Sequence, residues 1–296
     1  MNFRLRCDML KEGKDQKNHI EVRKQDMDIQ AMNESGRKLE EAFKLRNMPI
    51  AVKFYEKAAD APQGTVFPKR DLKKHMALCQ AFTYARMKGM TVGLTKENHW
   101  CWNPLIGFGN VECVPGQEQF DEVVKYIGIP DKKKAEEFFA HFPRLPLYKY
   151  EAVVIAPLKK ATFQPDVVLI YAEPAKVNHM VRCIKAVVGG YIHSVFDGID
   201  SCVYCTVPSF TENEYRITLP DPGERERART RDEDIILTVP GARLEEFMGC
   251  LNLDSPFGSF GDFMFDCELD FPHPPFYNKL FEIWGLDKGE EWKLNF

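Results

Sequence analysis

Residues 1–32 are polar and carry no sustained apolar period, and the stretch from Lys11 to Lys17 offers no apolar face. This pattern predicts a mobile polar leader, with order beginning at Asn33. Leu39, Phe43 and Leu45 then mark an amphipathic helix with Ser35 as its cap, and Met48-Pro49 ends it. Ile50 to Tyr55 reads as a strand, and Asp60 to Pro68, with two prolines and one glycine, as a loop. Asp71 is placed as the cap of a helix reaching Lys88, because Leu72, Met76, Cys79, Phe82 and Ala85 follow three-four spacing. Gly89 closes that helix, and a short strand runs from Met90 to Thr95.

Two helical stretches follow, around 117–127 and 131–141, and then aliphatic strands near Ala152–Ala156 and Val167–Tyr171. Pro174 opens a helix to Val188, stopped by Gly189-Gly190. The last third predicts strands near 201–207, 214–219 and 235–239, a helix from Gly241 to Leu251, and an irregular Phe/Pro-rich tail. Helices and strands alternate without a steady βαβ rhythm or a fixed repeat. The expected fold is therefore α+β, a single mixed or antiparallel sheet flanked by helices. Three parts are expected: the leader 1–32, a domain over 33–253, and an extension over 254–296 that packs on the domain.

Composition narrows the function. The chain has 296 residues, 44% apolar and 28% charged, with a net charge of −4. That length is ample for an unassisted core. No run approaches the apolar length of a membrane span, and there is no basic field of the kind that nucleic-acid binders carry. The first 38 residues hold nine Lys/Arg against seven acids, a thin excess with no apolar signal segment behind it. Nine cysteines without an export signal point to a reducing compartment, hence a cytoplasmic location, where thiols serve as fillers, ligands or nucleophiles.

Among those thiols, Cys101 lies in the aromatic loop Asn98-His99-Trp100-Cys101-Trp102-Asn103-Pro104. Pro104 and Leu105-Ile106 predict a short helix just after it. Placed before a helix start, the thiol is expected to have a lowered pKa and thiolate character. Cys79 falls at a helical position where packing is the commoner role of cysteine. Cys202-Val203-Tyr204-Cys205 is a C-x-x-C in a strand-like run, whose two thiols would face opposite sides unless a turn intervened. No second C-x-x-C exists to complete a zinc ribbon.

Weaker constellations remain. Asp266, Glu268 and Asp270 would share one strand face, yet the alternation with Phe265, Cys267 and Leu269 reads more simply as a solvated edge strand. Gly107-Phe108-Gly109 and Gly258-Ser259-Phe260-Gly261 lack phosphate-loop spacing and read as tight turns. Glu224 to Asp234 mixes four arginines with five acids and reads as a self-compensated surface loop. His193 with Asp197 and Asp200 follows no spacing rule, and Asp197-Gly198 looks like a turn.

Several segments, in order, resemble an uncharacterised archaeal and bacterial family catalogued as domain of unknown function 169. They are Cys79-Gln80-Ala81 with Ala85-Arg86, Leu94-Thr95, Cys101, Ala156-Pro157-Leu158, Pro165 to Tyr171, Pro174-Ala175, Pro222-Gly223-Glu224-Arg225, Asp232 to Ile235 and Val239-Pro240. The resemblance spans roughly residues 39–253. It implies that Cys79 and Cys101 are recurrent thiols, and that Arg225 is an anion contact. The chain departs from the family pattern at Trp102-Asn103, where Pro-Gly is usual, and at Asp221-Pro222, which replaces a Gly-Cys-like pair. Cys202 or Cys205 would then have to supply any further thiol.

The function expected from the sequence is a thiolate-ligated redox or metal cofactor, an iron–sulfur cluster being one form, in an oxidoreductase-related protein. Cys79, Cys101, Cys202 and Cys205 are the ligand candidates. One alternative is a metal-free enzyme or binder of a small anionic molecule. Phe54, Phe82, Trp100 and Trp102 would line its pocket, Arg225 would grip the anion, and Cys101 would be the candidate nucleophile. Another is an interaction protein that docks a partner or a second copy through the aromatic tail Phe271–Trp284. The expected partners are a small-molecule substrate or a redox partner, with neither nucleic acid nor membrane.

Overall fold

In the computed structural model, which describes residues 28–251 and 276–286, the strand-like runs come together as one open sheet. Chain order is α1 (Ile29–Ala42), β1 (Ile50–Tyr55), α2 (Leu78–Lys88), β2 (Val92–Thr95), α3 (Trp102–Gly107), α4 (Glu118–Tyr126), α5 (Lys132–Ala140) and β3 (Ala152–Pro157). Then come β4 (Val167–Ala172), α6 (Pro174–Val188), α7 (Ser201–Tyr204), α8 (Val207–Glu212), β5 (Arg216–Thr218), α9 (Pro222–Ala228), β6 (Ile235–Pro240) and α10 (Leu244–Cys250). The strands lie in the order β2-β3-β1-β4-β6-β5, and every pair is antiparallel. The fold is α+β.

Antiparallel sheets often leave one face wet, but this one is covered on both. Strands β3 and β4 are buried at all six positions, which is why they read as unbroken aliphatic runs. On one face Val52, Phe54, Ile155 and Leu169 meet Phe82 of α2 and the α3–α5 and α7–α8 segments. On the other, Ala51, Val154, Ile170 and Val239 meet Met32 and Leu39 of α1, Met180 of α6 and Phe247 of α10. The chain divides into two compact units, residues 1–254 and 255–296. Of the second, α11 (Phe276–Trp284) is described, with Phe276, Ile283 and Trp284 exposed. Residues 1–27, the Asp266–Asp270 set and Gly258–Gly261 lie outside the described residues.

The structure corrects several boundaries. Helix α1 begins at Ile29, with the Asp28 side chain accepting from Gln30 N; Ser35 is inside the helix, its hydroxyl donating to the Ala31 carbonyl at 2.9 Å. Asp71 caps nothing. Its carboxylate accepts from Phe67 N at 2.8 Å inside a short turn, Lys73 is left-handed at φ 57°, and α2 starts at Leu78. The run 201–207 is helical instead of extended: Pro208 sits in the first turn of α8, and Thr206 turns its hydroxyl back onto the Cys202 carbonyl at 2.8 Å. Local hydrogen bonding from Ser and Thr outweighs the β-propensity of Cys-Val-Tyr-Cys there.

Gly241 follows β6 where the chain crosses the Pro165 carbonyl; a Cβ there would lie 1.8 Å from that oxygen. Gly241→Ala therefore forces a backbone shift, and we expect a loss of about 1–3 kcal/mol, measured by denaturant unfolding.

Candidate functional site

Three thiols arrive at one place from three elements. Cys79 is the second residue of α2, Cys101 is the N-cap residue of α3, and Cys202 lies in α7. Cys79 packs with Ala77 of the loop before α2 and Ala228 of α9, and Cys101 packs against that group. Gly107 lets α3 approach α7 closely, since a Cβ would come within 2.6 Å of Val203. The Gly-Phe-Gly run is thus a packing device, consistent with its reading as a turn. Burial pushes the Cys79 thiol up to about 12, and neighbouring Glu224, Asp221 and Cys101 add to the rise. Burial likewise raises Cys202, with Asp221, Cys101 and Cys79 contributing in that order. The three sulfurs are therefore within electrostatic reach of one another. Cys205 is also raised by burial, then by Glu224 and Asp221, and its thiol faces the Cys202 carbonyl at 3.5 Å.

The expected thiolate at Cys101 is corrected: its pKa is raised, chiefly by burial, against the lowering effects of the Asn103 backbone and Arg227. A helix of six residues supplies too little dipole to offset desolvation. The thiol instead donates to Asn103 Oδ1 at 2.6 Å, and Asn103 Nδ2 donates to Asp200 Oδ1 at 2.8 Å.

Around the thiols runs a buried polar network. Asp221 caps α9, its Oδ1 accepting from Glu224 N at 2.8 Å, while Oδ2 accepts from Ser201 N at 3.1 Å and Ser201 Oγ at 3.0 Å. Glu224 accepts from Ser201 Oγ at 2.9 Å and from Thr230 Oγ1 at 3.1 Å. Arg86 Nη2 reaches Thr230 Oγ1 at 2.9 Å, the Ala228 carbonyl at 2.9 Å and Thr83 Oγ1 at 3.2 Å; Nη1 reaches Asn47 Oδ1 at 3.0 Å. Arg86 is 2% exposed, Glu224 1% and Asp200 1%. Burial and Asp221 raise Glu224 to about 7, with Arg86 opposing; burial and Asp197 raise Asp200 to about 8. The surface-loop reading of 224–234 is thereby overturned: its first half is helix α9, and Glu224 and Asp234 are buried. Asp221-Pro222-Gly223-Glu224 carried the signal, an N-cap acid, a first-turn proline and an acid at the third helical position. Asn103, Asp200 and Arg86 had no comparable mark.

The aromatic candidates are distributed. Phe54 and Phe82 are core residues on one sheet face. Phe54 also borders a small hollow with His99, Phe108 and Tyr150. His99, held neutral by burial with its pKa lowered to about 4, has neither ring nitrogen hydrogen-bonded among the described residues. Trp102 is half-buried against Tyr126, Phe139 and Phe142, whereas Trp100 is 69% exposed and packs on His75. Arg225 is engaged by the Pro220 carbonyl and by Asp232 at 3.2 Å, so its fork is occupied within the chain. Asp197 Oδ1 accepts from Ile199 N at 3.0 Å and Asp200 N at 3.1 Å, as a turn residue does. Among the described residues, no three or more His, Cys, Asp or Glu side chains stand as a ready-made ligand group. What the arrangement offers is a set of protonated soft donors beside buried carboxylates.

The sequence model of the family described as Uncharacterised ArCR, DUF169, matches residues 38–249. The chain belongs to the DUF169 family. A relative, "Uncharacterized protein MJ0308" of Methanocaldococcus jannaschii, is 25% identical over 224 residues, covering 75% of this chain and 94% of its own. No solved structure matches. Within this DUF169 domain, Cys79, Cys101 and the acidic network all fall inside the matched span.

Two outcomes follow from the network. Arg86→Met leaves the buried Ala228 carbonyl, Thr83 and Asn47 without their shared donor and should cost about 1–3 kcal/mol in denaturant unfolding. Glu224 and Asp200 titrate higher in the fold than in the unfolded chain, where carboxyls titrate near 4. The native state therefore binds more protons between about pH 4 and the folded values of about 7 and about 8, and stability falls as pH rises through that window. Melting temperatures measured from pH 5 to pH 9 should decline, and Glu224→Gln should flatten the slope.

Proposed function

We propose that the domain holds a thiolate-ligated metal or iron–sulfur centre at Cys79, Cys101 and Cys202, with Cys205 behind them as a packing thiol. The observation that carries this reading is the convergence of three thiols from α2, the α3 N-cap and α7 beside Asp221. Soft sulfur donors select iron–sulfur clusters, zinc or copper(I) over magnesium or calcium. Ligation requires each thiol to lose its proton and turn toward a shared centre, so affinity should weaken in acid. Bound there, such a group would supply electron transfer or Lewis acidity; the chain's own contribution is to shield it and fix its donors. Asp221 is oriented by Ser201 and by the start of α9, beside the thiols.

The reading fits an oxidoreductase-related role in the cytoplasm. The seven cysteines among the described residues are all free, as a reducing compartment would keep them. Among the described residues no helix is long and apolar enough to cross a membrane.

Anaerobic reconstitution of the full chain with iron and sulfide should give bound iron and a broad visible absorption. Cys79→Ser, Cys101→Ser and Cys202→Ser should each reduce both sharply, whereas Cys250→Ser, at a site on the opposite sheet face, should not. A wild-type chain that stays colourless, and takes up neither iron nor zinc or copper(I), defeats the proposal.

A further inference from the structure

A second feature lies on the surface and does not involve the thiol side chains. Residues 69–75, Lys-Arg-Asp-Leu-Lys-Lys-His, are all exposed and carry four Lys/Arg against one acid, in a chain whose net charge is −4. The run is fixed in place. Buried Asn98 accepts from Lys69 N through its side chain at 2.9 Å and from Met76 N through its carbonyl at 2.9 Å, and Trp100 N donates to the Met76 carbonyl at 3.2 Å. His75 and Trp100 pack with ring centroids 4.6 Å apart and planes tilted by 32°. The result is a basic face with a large aromatic, Trp100, 69% exposed, and an exposed Leu72 at its edge. Among the described residues neither Lys69 nor Lys74 has a carboxylate at ion-pairing distance, in contrast to Lys132 and Lys133 of α5, which pair with Asp121 and Glu137.

We propose that this face, from Lys69 to His75 with Trp100, is the docking surface for an acidic partner protein. An exposed tryptophan beside basic residues has the make-up of an interface anchor, and the rigid base lowers the ordering cost of binding. A protein is favoured over a polyphosphate because Asp71 and Glu97 stand ionised in the same face. Arg70, then Phe67 N, lowers Asp71 to about 2, and Thr95 heads the groups lowering Glu97. These two charges repel a phosphodiester backbone but can be answered by single basic residues of a protein. Trp100 adjoins Cys101 in the chain, so a partner seated here would lie beside the thiols.

The test uses the full-length chain and a fluorescein-labelled peptide rich in glutamate and leucine, with oligo-uridine as the competing probe. Lys69→Glu/Lys74→Glu and Trp100→Ala should each weaken peptide binding by about tenfold or more. The control Lys132→Glu/Lys133→Glu should change it by less than about twofold. Carbodiimide cross-linking of the unaltered protein should place the peptide on Lys69 or Lys74 by mass spectrometry. Absent peptide binding, equal weakening by the α5 control, an unaffected Trp100→Ala, or tighter binding of oligo-uridine would each overturn the proposal. None of these readouts depends on metal, so this surface and the thiol centre can fail separately.

Discussion

A guanidinium sealed from water must have its donors answered inside the protein, and here Arg86 is held by Thr83, Thr230, Asn47 and the Ala228 carbonyl, with Thr230 passing the link on to Glu224. Neither group can be solvated where it stands, so the two fix each other's position. Arg86 belongs to α2 and Glu224 to α9; the guanidinium also lies over the Tyr171 ring of β4 at 4.4 Å and donates to Asn47 ahead of β1. One buried arginine thus ties two helices, a central strand and a loop. Cys79, about two helical turns before Arg86 on α2, takes its place at the Gly223 carbonyl from the same arrangement.

The sheet supplies the rigidity that this polar network needs. Because β1, β3 and β4 are covered on both faces, their backbone has no freedom to slide, and register shifts would turn aliphatic side chains onto the wrong core. Helix α2 rests on that platform, and the short segments α3, α7 and α9 gather at its start. Short helices suit the purpose: each contributes a thiol or a capping acid, and none is long enough to form a layer of its own.

Most of the fold was legible because it is written in long periodic runs. Strands β1, β3, β4 and β6 and helices α4, α5, α6 and α10 follow directly from aliphatic blocks, three-four spacing, Pro174 and Gly189. The α7 segment was not legible, since Cys-Val-Tyr-Cys has strand composition and its helical turn is set by hydroxyls and a following proline. The site divides the same way. Cys79 and Cys101 could be singled out, and the short helix after Cys101 was foreseen, but the sign of its pKa shift depends on burial, which spacing does not report. The acids at 221 and 224 were hidden by their neighbours: four arginines nearby make a run look solvated, while alternation around α9 points only some of those residues inward.

Burial of acids and thiols together also bears on the chemistry. Burial is the first cause that raises the pKa of Cys79, Cys101 and Cys202, and acids add to it, Glu224 then Asp221 at Cys79, Asp221 then Asp200 at Cys101, and Asp221 at Cys202, so an isolated thiolate is suppressed. The side-chain charge that opposes the rise at Cys101 is that of Arg227. A resting nucleophile gains nothing from such surroundings. A cation held there would reverse the balance: it would stabilise the thiolates directly, and the carboxylates that oppose their ionisation would add to its attraction. Under the proposed ligand reading of Cys79, Cys101 and Cys202, the surroundings that keep the thiols protonated in isolation would favour a positively charged guest over an anionic one.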